Sequence, residues 1–234
     1  MDRTISIIIP AYNEAGRIGK CLDSIARQSV QPLEILIGID NCESTLKEVE
    51  KHVSSTIKAF FFDRQIGCYV IRNTLAMLAK GDVLMFFDAD DIMHENYIET
   101  MFGLCDQGVV AKPCFYDVGH DYRKDRGKTP AEGVFAINKK DFVFCSGFDN
   151  WMFGADSEFH NRAKLHGLSM VATDRPIFDR TVHDDSLSHN AKSGMHTEAR
   201  MRKREEVTRR RKMKFSKSSI PVACYPTIEI DGEK

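Results

Sequence analysis

The chain has 234 residues, of which 42% are hydrophobic and 29% charged, and its formal net charge is −1. This composition excludes a disordered chain and a protein that is basic throughout, and the length suits one domain with an appendage. The charge is unevenly distributed, because residues 200–217 carry ten Lys or Arg against two Glu.

The cysteines and the apolar stretches indicate the cellular compartment of the protein. The seven cysteines are odd in number and scattered, without a C-x-x-C pair, which excludes a disulfide framework and a zinc ribbon. No apolar stretch approaches the roughly 18 residues that a membrane span needs, and none near the N-terminus is long enough for a signal peptide. These features predict a cytoplasmic protein with reduced thiols, either free or peripheral on the inner face of a membrane.

The first hundred residues alternate short apolar runs with segments of helical periodicity. Near-continuous apolar runs predict buried strands, and apolar residues three or four apart predict amphipathic helices. The predicted strands are 5–9, 35–39, 57–62 and 83–87, and helices are predicted around 18–25, 44–53 and 71–78. The order βαβαβαβ predicts an α/β fold with a mostly parallel central sheet flanked by helices.

Polar residues follow three of these strands, at Tyr12–Glu14, Asp40–Asn41 and Asp88–Asp91. Ligands of open parallel sheets bind beyond the carboxyl ends of the strands, so three polar strand ends predict a single site there. The chain has neither G-x-G-x-x-G nor G-x-x-x-x-G-K-[ST], which argues against a dinucleotide dehydrogenase or a P-loop protein.

The stretch Asp88-Ala89-Asp90-Asp91 concentrates three carboxylates at the end of the fourth strand. Close carboxylates repel one another, and a hard divalent cation such as Mg²⁺ or Mn²⁺ relieves that repulsion. Alternation along an extended segment predicts that Asp88 and Asp90 face the metal while Asp91 points elsewhere. The alternative is an acidic turn that caps the next helix.

The second half of the chain is less regular. Further strands are predicted at 109–115, 133–138, 168–172 and 177–182, and a helix is predicted from about Asp156 to Leu165. The charged segment 117–132, with two glycines and a proline, is predicted to be a mobile loop near the site.

Two segments resemble family 2 glycosyltransferases of the GT-A fold. They are Ile5-Ser6-Ile7-Ile8-Ile9-Pro10-Ala11-Tyr12-Asn13-Glu14 and Ala79-Lys80-Gly81-Asp82-Val83-Leu84-Met85-Phe86-Phe87-Asp88-Ala89-Asp90-Asp91. The resemblance covers about residues 4–190. It implies a GT-A domain over 1–195, with a nucleotide-sugar half at 1–100 and an acceptor half at 101–195, followed by a basic helical tail at 196–234.

The resemblance implies a nucleotide-sugar donor, with UDP-sugars favoured, whose diphosphate is bridged to the D-x-D by Mn²⁺ or Mg²⁺. The donor would be held by Pro10, Tyr12, Glu14, Asp40, Asn41, Arg64, Arg72, Asp88 and Ala89. Asn41 stands where the family commonly has a second Asp, which leaves the nucleobase open. For Arg72 the alternative is an exposed helix arginine.

Gly154-Ala155-Asp156-Ser157-Glu158 resembles the family's Glu-Asp motif, with Ala155 in place of the Glu. It implies that Asp156 is the catalytic base, because inversion needs a group that takes the proton of the attacking hydroxyl. The alternative is that Asp156 only caps its helix. The pattern around His183 resembles a late segment in which a His joins the metal or diphosphate site. Trp151 and Asp91 are candidate acceptor contacts. The alternative for Trp151 is that it packs in the hydrophobic core.

The basic tail has three interpretations. It is a solvated helix, a peripheral membrane contact through residues 200–217 that would suit a lipid-linked acceptor, or a nucleic-acid contact. Few aromatic residues interleave the basic ones, which makes nucleic acid the least favoured partner.

The sequence therefore predicts a metal-dependent, inverting glycosyltransferase of hexosyl or N-acetylhexosaminyl type, acting on a glycan, lipid-linked or protein acceptor. The alternatives are a catalytically inactive nucleotide-sugar binding module and a sugar nucleotidyltransferase.

Overall fold

The computed structural model describes residues 3–184, 197–210 and 223–232. Within these ranges the strands are β1 Ile5–Ala11, β2 Glu34–Asp40, β3 Ile57–Phe62, β4 Val83–Phe86, β5 Ile92–Met93, β6 Val109–Val118, β7 Arg123–Pro130, β8 Phe135–Asn138, β9 Ser169–Thr181 and β10 Ile228–Ile230. The helices are α1 Ile18–Ala26, α2 Glu43–Val49, α3 Cys68–Leu78, α4 Tyr97–Leu104, α5 Lys139–Phe144, α6 Ala155–Leu165 and α7 Glu198–Arg210.

The described strands form one sheet in the order β10-β3-β2-β1-β4-β8-β6-β9-β5, with β7 paired to β6. The parallel arrangement predicted for the first four strands is confirmed. The second half is mixed, because β8 runs antiparallel to both β4 and β6. Strands that are not joined by a crossover helix can run antiparallel, so the parallel pattern ends where the βα alternation ends.

The core lies on both faces of this sheet. Successive side chains of a strand point to opposite faces, and in β1 this places Ile7 and Ile9 in one apolar cluster and Ile8 in the other. All three are completely buried. A run of isoleucines in a central strand is therefore explained by burial on both sides.

Two sequence predictions in the second half are wrong. The segment 117–132 is largely a hairpin arm, β7, which pairs with β6 through Tyr116 opposite Asp125. Seven of its eight residues are exposed, so it lacks the apolar alternation by which a strand is recognised. The two strands predicted at 168–172 and 177–182 are one strand, β9, whose register against β6 shifts at bulges.

Two tail segments pack on the domain. Strand β10 runs antiparallel to the edge strand β3, with Ile228 opposite Phe61. Helix α7 confirms helical structure in the tail, and its Val207 is only 5% exposed. The division of the chain at 195/196 stays a prediction, and residues 211–222 of the tail lie outside the described residues.

Candidate active site

The first two carboxylates of the acidic stretch meet different partners. The side chain of Asp88 accepts a hydrogen bond from Nη2 of Arg72. Arg72 lies on α3 and is 3% exposed, so the alternative of an exposed helix arginine is wrong. Its Nε has no hydrogen-bond partner among the described residues. A buried guanidinium thus enters the site with one carboxylate bound and donors left over.

Asp90 lies instead with Glu14 and His183. Its Oδ2 is 2.9 Å from Nε2 of His183, and one ligand atom from each of the three residues lies within 4.8 Å of the others. The hydrogen bond to Asp90 raises the pKa of His183, and burial raises the pKa of Glu14. The structure therefore groups Asp90 and His183 with Glu14, while Asp88 lies with Arg72.

Strand β9 brings His183 to this place. The backbone N–H of Thr181 donates to Oδ1 of Asp91 (2.9 Å), and its hydroxyl donates to the carbonyl of Asp90 (2.5 Å). Asp91 is 1% exposed, and burial together with the charges of Asp90 and Asp88 raises its pKa well above the ordinary value. The third carboxylate of the stretch thus anchors the end of β9 to the acidic loop.

The residues predicted for the nucleobase and ribose lie at the ends of β1 and β2. Tyr12 is 52% exposed, and Pro10 lies opposite Gly38 of β2. Asn41 has φ 52°, a left-handed conformation that Asn tolerates better than most residues. The carboxylate of Asp40 accepts hydrogen bonds from the N–H groups of Ile66 and Gly67, at 2.8 and 3.1 Å.

Arg64 lies outside this group. Its Nη2 is 3.7 Å from Sγ of Cys224, in the segment that leads to β10. This contact does not support the assignment of Arg64 to the diphosphate or base, which stays a prediction.

A cavity of about 630 Å³ opens beside the acidic stretch. Its walls carry polar groups from three parts of the chain: Arg72 of α3, Asp88 and Asp91 of the acidic stretch, and Asp156 of α6. A Cβ atom built on Gly133 would lie 3.5 Å from Nη1 of Arg72 and 3.6 Å from Oδ2 of Asp156. Gly133 therefore lies beside both charged groups, which α3 and α6 bring to the same wall.

Asp156 lies in the first turn of α6. The N-cap is Gly154, with φ 82°, so the alternative in which Asp156 caps the helix is wrong. Its Oδ1 accepts a hydrogen bond from the N–H of Ser157 (2.7 Å), and its Oδ2 lies toward Gly133 at the cavity wall. An ionised carboxylate near a helix N-terminus is favoured by the helix dipole.

A buried ion pair holds α6 in place. Arg162 donates to Glu158 on the same helix and to the carbonyls of Cys145 and Gly147. The side chain of Asn73 on α3 exchanges two hydrogen bonds with the backbone of Phe148. The same short segment, 145–148, is therefore fastened to the helices that carry Asp156 and Arg72.

The lining of this cavity includes residues that were not candidates from the sequence, among them Val207 and Glu132. Val207 belongs to a helix considered only for its charge, and Glu132 belongs to the segment predicted as a mobile loop. Trp151 is partly buried against the apolar cluster on the α3 face and is not among the lining residues, whereas its neighbours Met152 and Phe153 are. The sequence signal that could have found Val207 is a single hydrophobic residue among the charged residues of a basic helix.

The family model for glycosyl transferase family 2 matches residues 6–187. The chain belongs to this family. The match runs from the first strand to just beyond His183, and it includes every candidate site residue named above except Val207. Membership fixes the class of protein, while the role of each side chain depends on its surroundings.

Several curated members of the family are similar over part of the chain. Glycosyltransferase GlyA of Streptococcus pneumoniae is 31% identical over 104 residues, which are 44% of this chain and 15% of GlyA. Glycosyltransferase AglE of Haloferax volcanii is 32% identical over 100 residues, 41% of this chain and 33% of AglE. The glucosyltransferase WfgD of Escherichia coli is 30% identical over 104 residues, 44% of this chain and 41% of WfgD. The chain spans less than half the length of these relatives.

Among solved structures the fold is similar to Staphylococcus aureus TarS. The structure of TarS residues 1–349 in complex with UDP-GlcNAc superposes with a TM-score of 0.64 at 18% identity, covering 78% of this chain and 60% of that one. This similarity confirms the predicted α/β GT-A fold. In the described part of the chain, no helix is both long and apolar enough to cross a membrane.

Proposed function

We propose that the chain is a metal-dependent, inverting glycosyltransferase that moves a sugar from a nucleotide-diphosphate sugar, with UDP-sugars favoured, to an acceptor hydroxyl. One observation carries the proposal. Arg72, Asp88 and Asp156 line one cavity, and Asp90 of the same acidic stretch lies with Glu14 and His183. One edge of the sheet therefore offers positive charge for a diphosphate, ligands for a cation and a carboxylate base.

Glu14, Asp90 and His183 are the residues that would hold the cation. The set offers two carboxylates and one imidazole, a combination that suits Mn²⁺ better than Mg²⁺. The buried Nδ1 of His183 has no hydrogen-bond partner among the described residues. A bound divalent cation would supply positive charge to the departing nucleoside diphosphate. Asp88, which the sequence also predicts as a ligand, is paired with Arg72 instead.

Arg72 is the proposed diphosphate contact on the protein side. Its guanidinium is buried and stacks within 5.9 Å of the ring centroids of Tyr69 and Phe86, which fixes its position. One of its N–H groups is taken by Asp88, and others are left to bind phosphate oxygens. The pair with Asp88 also keeps the arginine in place before the donor binds.

Asp156 is the proposed base. In an inverting transfer a base takes the proton of the hydroxyl that attacks the anomeric carbon, so its carboxylate must reach the cavity that holds the donor. Asp156 projects from α6 on the wall formed with Gly133, and Arg72 and Asp88 reach the same cavity from α3 and the end of β4. The replacement of the preceding Glu of the motif by Ala155 leaves this carboxylate in place.

A donor panel tests the proposal. UDP-, GDP- and dTDP-sugars are compared by thermal shift with Mn²⁺ and with Mg²⁺, and nucleoside diphosphate release is followed without acceptor. The right donor at a hundredfold excess over Kd is expected to stabilise the fold by about 2.7 kcal/mol. Asp156→Asn should abolish release while leaving the donor shift unchanged, and Asp149→Asn is the matched control.

The alternatives give other outcomes. Binding without release in the wild-type chain would indicate an inactive nucleotide-sugar binding module. Release of pyrophosphate from a nucleoside triphosphate and a sugar phosphate would indicate a sugar nucleotidyltransferase. Near-normal release by Asp156→Asn would contradict the assignment of the base.

For the acceptor we propose a lipid-linked sugar at an anionic membrane surface. The relative WfgD acts, by its name, on a diphosphoundecaprenol-linked sugar. Exposed arginines of α7, Arg202 and Arg209, lie on the same helix as the cavity residue Val207. Each basic residue near such a surface contributes about 1 kcal/mol to binding.

Liposome co-sedimentation tests this acceptor surface. We expect wild-type protein to sediment with phosphatidylglycerol vesicles at low salt and to be released at high salt. The double variant Arg202→Glu, Arg209→Glu should stay in solution, and Lys20→Glu, at an exposed position on α1, is the matched control. Equal sedimentation of the double variant would rule out α7 as the contact.

A further inference from the structure

A second, smaller cavity of about 260 Å³ adjoins the first. Pro130, Glu132 and Ser157 line both cavities, so the two are adjacent along this wall. Asp156, the residue before Ser157, faces the larger cavity. Ligand pockets usually measure roughly 300–1,000 Å³, so the smaller cavity has room for a single ring rather than for a nucleotide.

Glu132 is the carboxylate between the two cavities. Its Oε1 lies 3.0 Å from Nζ of Lys112, and its Oε2 lies 2.8 Å from Nδ1 of His160. The side chains of Lys112 and His160 are 7% and 5% exposed, whereas that of Glu132 is 50% exposed. Two buried donors therefore fix one carboxylate whose other side faces open space.

The protonation of this network follows from its surroundings. Burial acts to raise the pKa of Glu132, but the hydrogen bond and charge of His160 and the charge of Lys112 outweigh it and lower that pKa to about 2. Burial lowers the pKa of His160, so the ring is neutral near pH 7 and carries one proton. Nδ1 lies 2.8 Å from Oε2 of Glu132 and 3.2 Å from Nζ of Lys112, and because a carboxylate only accepts, the shorter contact places that proton on Nδ1. Glu132 is thus an ionised acceptor with lone pairs to spare.

We propose that the smaller cavity is a subsite for one sugar ring of the acceptor, with Glu132 as the group that accepts hydrogen bonds from its hydroxyls. The proposal rests on the proposed function, because it assigns the acceptor side of the same site. Lys112 and His160 are positioning residues, which act through Glu132. The geometry separates two roles, with Asp156 as the base and Glu132 as the recognition group.

The rest of the cavity lining suits a sugar. Met170, Val171 and Ala172 of β9 supply an apolar surface of the kind that the C–H face of a pyranose contacts, and Ser157 and Asn161 supply polar groups opposite. The buried Nδ2 of Asn161 has no hydrogen-bond partner among the described residues. Glu132 neutralises Lys112, but Lys164 also lines the cavity, so an anion is the competing ligand for this cavity.

Ligand-observed NMR of the whole chain tests the subsite without requiring turnover. The probes are the methyl glycosides of glucose, galactose and N-acetylglucosamine, each with UDP and Mn²⁺ present. We expect at least one to bind wild-type protein at millimolar concentration, and binding to Glu132→Gln to be about tenfold weaker or lost, as for a hydrogen bond to a charged group. Glu50→Gln, at an exposed position after α2, is the matched control.

Further outcomes are decisive in the same experiment. Glu132→Asp keeps the negative charge but shortens the side chain by one methylene, so it should weaken sugar binding. It tests the proposal even if Glu132→Gln does not fold. Lys112→Met should weaken binding in the same direction. The proposal is overturned if no glycoside binds the wild-type chain, if the Glu132 variants that fold bind as wild type does, or if inorganic phosphate displaces the sugar. Donor release is measured separately, so failure of the proposed function is distinguishable.

Discussion

Asp88 and Asp90 are two residues apart, yet they bind different groups. Asp88 pairs with the buried Arg72, and Asp90 pairs with His183 close to Glu14. Ligands of parallel sheets bind beyond the carboxyl ends of the strands. The sequence therefore predicts that these carboxylates lie in the site, because β4 ends at Phe86 and Asp88 follows two residues later. Which partner each carboxylate meets depends on α3 and β9. No local sequence pattern relates these two elements to β4.

Glu132 illustrates a residue that sequence reasoning could not find. It lies between β7 and β8 in a segment whose charge and glycines predict a loop. Its two partners come from β6 and α6, some twenty or more residues away in either direction. Only the folded sheet brings the three together, so a tertiary contact, and not a local signal, defines the group.

The lowered pKa of Glu132 gives a testable dependence of stability on pH. The pKa is about 2 in the folded chain against an ordinary 4.5, so the ionised carboxylate stabilises the fold above pH 4.5 and this contribution is lost as the pH falls toward 2. We expect Glu132→Gln to lower the free energy of unfolding at neutral pH, and the difference from wild type to shrink between pH 4.5 and 2. Urea unfolding at a series of pH values measures it.

The control for this series is Glu50→Gln, whose side chain is exposed. A difference between wild type and Glu132→Gln that stays constant across the same pH range would contradict the ion-pair explanation. It would indicate instead that the substitution acts through packing.

At the scale of elements, close approach explains a glycine that follows α3. In the sequence Gly81 occupies the place of a helix-ending glycine, but α3 ends at Leu78 with Ala79 as its C-cap. A Cβ on Gly81 would lie 2.5 Å from the backbone N of Ser6 and 2.8 Å from the carbonyl carbon of Ile5. The glycine is needed because the turn before β4 passes directly over β1.

Gly81→Ala is therefore expected to be destabilising. Overpacking typically costs about 1–3 kcal/mol, and a clash with backbone atoms cannot be relieved by a rotamer change, so we expect a loss at the upper end. Gly38→Ala meets Ile71 Cγ2 at 2.3 Å, but that is a side-chain atom that can shift, and its cost should be smaller. Thermal unfolding measures both losses.

Gly16→Ala is the control for these two substitutions, because no heavy atom lies within 4 Å of its added Cβ. It should leave the unfolding temperature near the wild-type value. A Gly81→Ala protein as stable as Gly16→Ala would show that the turn before β4 can move away from β1.

Helix α7 shows what a charge-based interpretation leaves out. Its basic residues favour a solvated or surface-bound helix, but Val207 is buried and lines the large cavity together with Thr208. One apolar residue among charged ones is a weak sequence signal, because a single exposed valine is common. The structure therefore adds a wall to the site that sequence reasoning assigned to a separate tail.

Val207→Ala tests whether this side chain holds α7 on the domain. Each buried CH₂ contributes about 0.8 kcal/mol, so the substitution should weaken the docking of α7 by about 1.5 kcal/mol. We expect hydrogen exchange of residues 198–210 to become faster by about an order of magnitude, with the sheet unaffected. Met201→Ala, at a side chain that is 49% exposed on the same helix, is the control. Equal exchange in both variants would mean that other contacts hold α7.

At the scale of the whole molecule, the α/β order and the parallel first four strands were predictable because burial on both faces leaves a plain apolar signal. The later strands were harder to predict. Strand β7 is exposed along almost its whole length and is held by its ladder to β6, and β10 has three residues. Strand β7 carries no hydrophobic alternation, and the Ile-Glu-Ile of β10 is too short to indicate a strand, so hydrogen bonding to a neighbour, which a sequence does not show, determines both.

Strand β10 covers the edge of the sheet, and its removal has an expected consequence. The N–H of Thr227 donates to the carbonyl of Phe61 (2.8 Å), and Cys224 exchanges hydrogen bonds with the hydroxyl of Thr74. Deleting residues 223–234 exposes β3, and an open edge strand pairs with other chains. We expect the truncated protein to self-associate in a concentration-dependent manner, measured by light scattering.

Tyr225→Ala serves as the control for this deletion, because that side chain lies in the same segment and is 94% exposed. It should remain monodisperse at every concentration at which the wild-type chain does. A truncated chain with the same light scattering as wild type would mean that β3 is protected in another way.

The position of β10 in the chain also affects how the protein is made. Strand β3 ends at Phe62 and its outer neighbour begins at Ile228, so 165 residues are synthesised between them. At about 5–20 residues per second, the ribosome needs on the order of 10 to 30 s for that stretch. During this time β1 to β4 can already form, with β3 unpaired on its outer side. In this interval the unpaired edge of β3 can pair with other nascent chains on the same messenger RNA. The nascent chain therefore needs a chaperone, or a low local concentration of other chains.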